Sequence, residues 1–505
     1  MGAGKIMEEL QVVKLEKTIS SMKTEQNNRK IFSINQHLKR KNEVHTVCLT
    51  SMTFDVILTE AIEGLEHYEM RCLWEISRVL NEGVHVHFFS KKIVNLHAIN
   101  HFYKTFNLSD NQISRIKFYS VEEILNEKNL PQDLSDYVLN NPQVRAVFSE
   151  ICQNKNSYLE CFVLTDKERK VSEVFNLPTY WCHESVEYLK TKSGNRKILN
   201  GVTKLPEGYG DLYSLEQVVA ALKALSHKTL NRKFVIKLND GVSGDGNGFI
   251  KLPAGKINEH TIRQSLIETQ FVSSKMTYTK FFREFAKIGG VVEEFIDGNN
   301  KRSPSVQVFL KPDNSFDIIS SHEQVLDSSG ARFLGARFPA YDYHRDLIIN
   351  EANKIAKRLL ENKVFGIVGL DFLTVDATDG YEAYLIEINL RKGGTTHPFW
   401  TAKAALNNAN MCQKSGMFLI SEKERRMYYS NDNIITKDLE KTRSLFELFG
   451  VLEGSGLLFS EKTQKGAIIH MANSYEPIGK IGAVFIGKTD AEIKLLEKAV
   501  LNLIG

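Results

Sequence analysis

The first 180 residues alternate short apolar runs with longer segments in which apolar residues return every third or fourth place. HTVCLTS at 45–51, VHVHFFS at 84–90, RIKFYS at 115–120 and YLECFVLT at 158–165 read as strands, with helices at 55–80 and 93–106. Strands alternating with helices imply a parallel sheet carrying helices on its faces, here an α/β domain over 43–180. His67, Tyr68, Glu69 and Arg71 stand together on the first helix, where such residues ordinarily make a partly solvated face.

From 181 the pattern changes. KFVIKLNDGVSGDGNGF at 233–249 is an apolar strand that ends near Lys237 and opens into a run with Gly241, Gly244, Gly246 and Gly248, after which GFIKLP resumes as a strand. Helices follow at about 259–271 and 278–287, then strands at 289–298, 303–312 and 316–326, and a helix at about 346–362. The tail holds polar helices and the strand GAIIHMA at 466–472, and reads as a small α/β cap over 416–505 with His470 as a packed core histidine.

The stretch 366–398, GIVGLDFLTVDATDGYEAYLIEINLRKGGTTHP, puts acids where a fold ordinarily puts hydrocarbon. Strand alternation gives Leu385, Glu387 and Asn389 one face and Ile386, Ile388 and Leu390 the other. Asp376, Asp379 and Gly380 punctuate a hairpin, and a turn centred near Asp379 sets Asp371 opposite Glu387. Like charges opposed across a ladder are destabilising, whereas two carboxylates and an amide oxygen suit a hard divalent cation. A slip of one residue would turn Asp371 away and leave an ordinary solvent-facing hairpin edge.

Three further segments suit anions or nucleotides. The glycine flap can bring backbone N–H groups to phosphate oxygens with Lys237 beside them, or be an ordinary flexible hairpin; its spacing is neither the Rossmann nor the Walker motif. TKSGNRKIL at 191–199 is either a surface loop or a helix start that favours an anion, with Lys192 adding a full charge. In GGVVEEFIDG, backbone groups can read an adenine edge and an acid near the end can accept from ribose hydroxyls. GAVFIGKT at 482–489 fits the Walker spacing, but Ala483 to Ile486 form a buried strand, and Thr489 and Asp490 cap the helix that follows.

Composition excludes some classes. The chain has 505 residues, 42% hydrophobic and 25% charged, without an apolar run long enough for a membrane helix or a secretion signal, which predicts a cytoplasmic protein with no membrane partner. Its six cysteines lack metal-site or disulfide spacing. Residues 1–42 carry nine Lys/Arg against four Glu, so the rest is nearly neutral and nucleic acid is not an expected partner. This basic leader is either a mobile extension or a peripheral amphipathic helix, and MGAGKI lacks the Ser or Thr of a myristoylation signal.

A Lys-bearing strand, a glycine flap, a V-V-E-E-F-I hinge, then D-F-L and E-I-N on paired strands resemble, in that order, the ATP-grasp superfamily. Within it, HYEMR at 67–71, TKSGNR at 191–196, VIKLNDGVSGDGN at 235–247, RSPSVQV at 302–308 and EINLRKGGTTHP at 387–398 resemble the ligases with a pre-ATP-grasp domain, of the pheganomycin peptide ligase type. The resemblance implies an α/β and α+β chain: a Rossmann-like pre-ATP-grasp domain, a two-lobed ATP-grasp domain at 181–415 and the cap. It implies an ATP-dependent carboxylate–amine ligase that works through an acyl phosphate, uses Mg2+, and takes small-molecule carboxylate and amine or peptide substrates. Lys192 and Lys237 would hold phosphates, Gly244 and Gly246 would cover them, and Glu293, Glu294, Phe295 and Ile296 would line the adenine. Asp371, Glu387 and Asn389 would ligate magnesium, and Arg391 would steady the acyl phosphate. Many such ligases carry an Arg two places before the aspartate; Gly369 stands there, so that role falls to Arg391 or another cation such as Arg337. An ATP-grasp phosphotransferase and a nucleotide-sensing module are the alternatives. Oligomeric state and substrate identity are not encoded in these motifs.

Overall fold

The computed structural model describes the chain except residues 1–22, 32, 54–64, 155, 181–183, 230, 242, 243, 245, 328, 329, 331, 437–442 and 505. Expectations about the first half of the leader, the start of the first helix and Cys182 therefore lie outside the described residues. The described leader is helical and docks Ile31 and Ile34 against Val44 and Tyr158.

Strands β1 (Val44–Leu49), β2 (Val84–Ser90), β3 (Ile116–Ser120) and β4 (Ser157–Cys161) form a parallel sheet in the order β3-β2-β1-β4. Both faces of the sheet are covered at its centre, so β1 and β2 are buried almost throughout, as their continuous apolar runs require.

The middle of the chain builds two antiparallel layers. The smaller contains β5 (Gly208–Leu212), β6 (Lys233–Leu238), β7 (Asn247–Lys251), β8 (Gln270–Phe271) and β9 (Gly290–Glu294), in the order β5-β9-β6-β7-β8. Phe234, Ile236 and Val292 on its inner face pack on Leu222, Phe281 and Phe285 of its helices. The β6–β7 pairing makes the glycine run a flap between two strands. The larger layer contains β10 (Pro304–Leu310), β11 (Phe316–Leu326), β12 (Phe333–Phe338), β13 (Gly366–Ala377) and β14 (Gly380–Asn389), with β15 (Phe418–Leu419), β16 (Arg425–Ile435), β17 (Gly466–His470) and β18 (Lys480–Gly487). Its order is β14-β13-β10-β11-β12-β16-β18-β17, with β15 pairing to β16. The tail strands thus continue this sheet, and Leu448, Ile468 and Val484 share one core with Trp74, Val86 and Phe88 of the first unit. The helix before β13 is Asp342–Glu361, which seats Ile348, Ile355 and Leu359 against Val306, Val368 and Leu385.

The acidic hairpin pairs Asp371 with Glu387 as expected, but by another route. The turn falls between Ala377 and Gly380, and its simple register would put Ile386 opposite Asp371; a β-bulge leaves Ile386 unpaired and brings Glu387 into place. The bulge corrects the expected faces. Leu385 is buried in the core with Ala383 and Ile388, while Ile386 joins Glu387 and Asn389 on the open side.

Candidate functional site

The open sides of the two antiparallel layers and the edge of the first unit enclose a cleft of about 970 Å³. Lys237, Gly244, Glu293, Glu294, Phe295 and Ile296 line it from the smaller layer; Asp371, Glu387, Asn389 and Arg391 line it from the larger.

On the floor, Asp371 accepts hydrogen bonds from Gln324 Nε2 at 2.6 Å and Asn389 Nδ2 at 2.8 Å. Burial, with Glu387 adding its like charge, pushes the Asp371 carboxyl up to about 7. Lys192 Nζ lies 3.1 Å from Glu387 Oε1. Arg391 donates to the Lys392 carbonyl at 3.0 Å, and burial pulls its guanidinium below the ordinary value against the attraction of Glu387 and Asp371. Two amide side chains and two cations thus meet beside two carboxylates that repel each other. A hard cation resolves that repulsion and takes oxygen ligands of the kind that Asp371, Glu387 and the adjacent Asn389 carry, so the residues fit magnesium.

Against the other wall, Lys237 Nζ is 2.6 Å from Glu293 Oε2, and Arg196 Nη1 is 2.7 Å from Glu293 Oε1. Burial opposes the Glu293 charge, yet Lys237 and Arg196 hold its carboxyl below the usual range. Gly244 adopts φ +78°, a conformation that side chains strain, and its carbonyl accepts from Asn247 N. Gly246 sits behind the flap, where its carbonyl accepts from Leu238 N and a Cβ would lie 3.2 Å from that of Leu238.

Several expectations are corrected. The helix Lys192–Leu199 does not present free N–H groups to an anion: Lys192 N bonds Asn239 O, Ser193 N bonds Asn239 Oδ1, and Gly194 N bonds Thr191 Oγ1. Its contribution to the cleft is the Lys192 side chain. Backbone reading of an adenine edge is closed at two hinge amides, because β9 is an interior strand: Glu294 N bonds Glu207 O and Phe295 N bonds Lys233 O. Arg337 is engaged with Asp490 at 2.7 Å and is not the cation beside Asp371. The helical segment Leu65–Leu80 is not a solvated face, since Glu69 is buried and accepts from Lys91 N, and Tyr68 and Arg71 line the cleft. GAVFIGKT, by contrast, is as expected a strand then a helix start, with Thr489 Oγ1 accepting from Glu492 N.

The sequence reading missed Gln324, Arg196 and Asp432. Gln324 carried only its polarity within the strand FDIISSHEQVL; its place beside β10, and so near Asp371, follows from the sheet order. Asp432 had none: its buried carboxylate accepts from Arg71, 361 residues away, and lies 3.2 Å from His397 Nε2 and 2.9 Å from His470 Nε2.

Comparison with known proteins agrees with this architecture. Residues 265–393 match the family described as IQCH-like, ATP-grasp. The chain is 28% identical over 300 residues to L-propargylglycine–L-glutamate ligase of Streptantibioticus cattleyicolor, covering 59% of this chain and 60% of that protein. It is 20% identical over 308 residues to IQ motif-containing protein H of Danio rerio, covering 52% of this chain and 29% of that one. The chain therefore spans less than two thirds of the length of these relatives. In three dimensions it superposes on a biotin carboxylase–β,γ-ATP complex from Campylobacter jejuni with a TM-score of 0.55, 12% identity and 92% coverage of both chains. The fold is ATP-grasp. Among the described residues, no helix is long and apolar enough to cross a membrane.

Proposed function

We propose that this ATP-grasp chain is an ATP-dependent ligase that joins a carboxylate to an amine, of the amino-acid or peptide kind, with ADP and phosphate as co-products. The observation that carries the reading is the meeting of Asp371, Glu387 and Asn389 with Lys192 and Arg391 on the floor of one cleft, with Lys237 on its wall. The name of the curated relative, a ligase of two amino acids, supports the reaction class. The ATP ligand of the superposed carboxylase supports the nucleotide.

A carboxylate resists attack by an amine until one of its oxygens becomes a leaving group, and the γ-phosphoryl of ATP supplies that by forming an acyl phosphate. Such transfer between anions depends on positioning and charge neutralisation. Asp371, Glu387 and Asn389 would hold magnesium, which when bound supplies charge neutralisation to the phosphoryl oxygens. Lys237 would exchange Glu293 for a nucleotide phosphate, and Lys192 would do the same with Glu387. Gly244 lets the flap backbone approach those phosphates, Gly246 packs behind it, and Glu293 to Ile296 line the wall for the base. Arg391 faces the same floor and would steady the activated carboxylate. The need for ATP supports a cytoplasmic location for this reaction.

The test follows the phosphorus. With an oxygen-18-labelled carboxylate, one label is expected in the released phosphate, together with ADP and an amide, and hydroxylamine should trap the activated acid as a hydroxamate. Release of AMP, or a stable phosphorylated product without an amide, would overturn the assignment.

A further inference from the structure

One wall of the cleft carries more positive charge than the protein neutralises. Arg71 lies 4.6 Å from the Tyr68 ring centroid and Lys480 Nζ lies 5.1 Å from the same centroid. Lys480 Nζ also donates to the Tyr68 hydroxyl at 2.6 Å. All three side chains line the cleft, together with Asn433. Of the three, Arg71 alone is paired with a carboxylate, Asp432, whose Oδ2 accepts from it at 3.1 Å; among the described residues, Lys480 pairs with no carboxylate. Asp432 is fixed in turn by His397 and His470 on its other oxygen. Burial holds His397 down to about 4, so this histidine adds no charge at neutral pH. Two cations gathered on one tyrosine ring against one carboxylate leave a net positive charge facing an enclosed space, an arrangement completed by an anion.

We propose that Tyr68, Arg71 and Lys480 form the seat of the spectator carboxylate of an amino-acid or peptide substrate, the carboxylate that the reaction does not consume. This rests on the ligase reading given above. Arg71 offers guanidinium N–H groups in an orientation preset by Asp432, and Lys480 offers its ammonium. The floor at Asp371 and Glu387 then receives the reacting group, so the distance between wall and floor selects substrates by length. Arg71 arrives from the first unit, Asp432 and Lys480 from the tail, and the floor from the middle of the chain. The seat is therefore assembled only when the first unit and the tail are docked.

The full chain is assayed for ADP release with the twenty standard amino acids and L-propargylglycine, each as free acid and as α-carboxamide. The acid of an accepted pair is expected to show a KM about tenfold or more below that of its carboxamide, as loss of a charge-assisted hydrogen bond implies. Lys480→Met should raise the KM of the acid by about the same factor, leave that of the carboxamide in place and change kcat little, with rescue by Lys480→Arg. Equal KM values for acid and carboxamide in the unmodified protein, or an active Lys480→Met protein with an unchanged KM for the acid, would overturn the seat while leaving the ligase reading intact. If no pair releases ADP, the ligase reading fails, and calorimetry of L-glutamate against L-glutamate α-amide decides the seat: selective binding of the acid retains it, and equal or absent binding of both overturns it.

Discussion

Lys392 Nζ lies 2.5 Å from Glu75 Oε1, an ion pair buried between the residue that follows Arg391 and the helical segment of the first unit. The same ammonium reaches Glu160 Oε2 at 2.8 Å, and Arg78 pairs with both acids, so two cations balance two carboxylates out of water. The network pins the end of the acidic hairpin to the first unit, and with it the position of Arg391 over the floor.

Lys392→Met should therefore destabilise the protein by roughly 3–5 kcal/mol, because it leaves two buried acids sharing Arg78 alone. Denaturant unfolding followed by far-ultraviolet circular dichroism measures this. A loss below about 1 kcal/mol would mean that the network does not bear on docking.

Glu387→Gln should keep the fold, since the side chain faces the cleft, while turnover falls by about a hundredfold or more as expected for lost charge stabilisation. Steady-state kinetics with saturating magnesium tests it. Near-normal magnesium-dependent activity would remove Glu387 from the site.

Lys237→Ala should weaken nucleotide binding strongly, and Lys488→Ala should leave it unchanged. Lys237 lines the cleft, whereas Lys488 is a half-exposed residue paired with Glu424 on the surface. Calorimetry with a non-hydrolysable ATP analogue ranks the two, and the reverse order would revive the Walker-type reading of 482–489.

The Asp371 carboxyl titrates near 7 in the fold, raised by burial and by Glu387 from its ordinary value of 3.8. Between those values the folded state holds a proton that the unfolded state has lost, so this group's contribution to metal-free stability falls as pH rises through the window and levels off above it. Magnesium competes with that proton. The rise in Tm on adding magnesium should grow from about pH 6 to about pH 8, and a pH-independent rise would place the ion elsewhere.

The apolar period and turn residues a few places apart sufficed for the four strands of the first unit, the flap between β6 and β7, and the pairing of Asp371 with Glu387. They could not reach the route by which that pairing forms. The bulge at Ile386 trades one unpaired residue for burial of Leu385 and exposure of Glu387 to the cleft, and that balance is struck by the core beneath β14. Tertiary structure also decided which cations face one another's acids: Lys237 with Glu293, Lys192 with Glu387, Lys392 with Glu75, and Arg71 with Asp432. Periodicity fixes which face of an element turns inward. It does not encode which of the inward faces, hundreds of residues apart, will meet, and a buried charge is stable only where such a meeting supplies its partner.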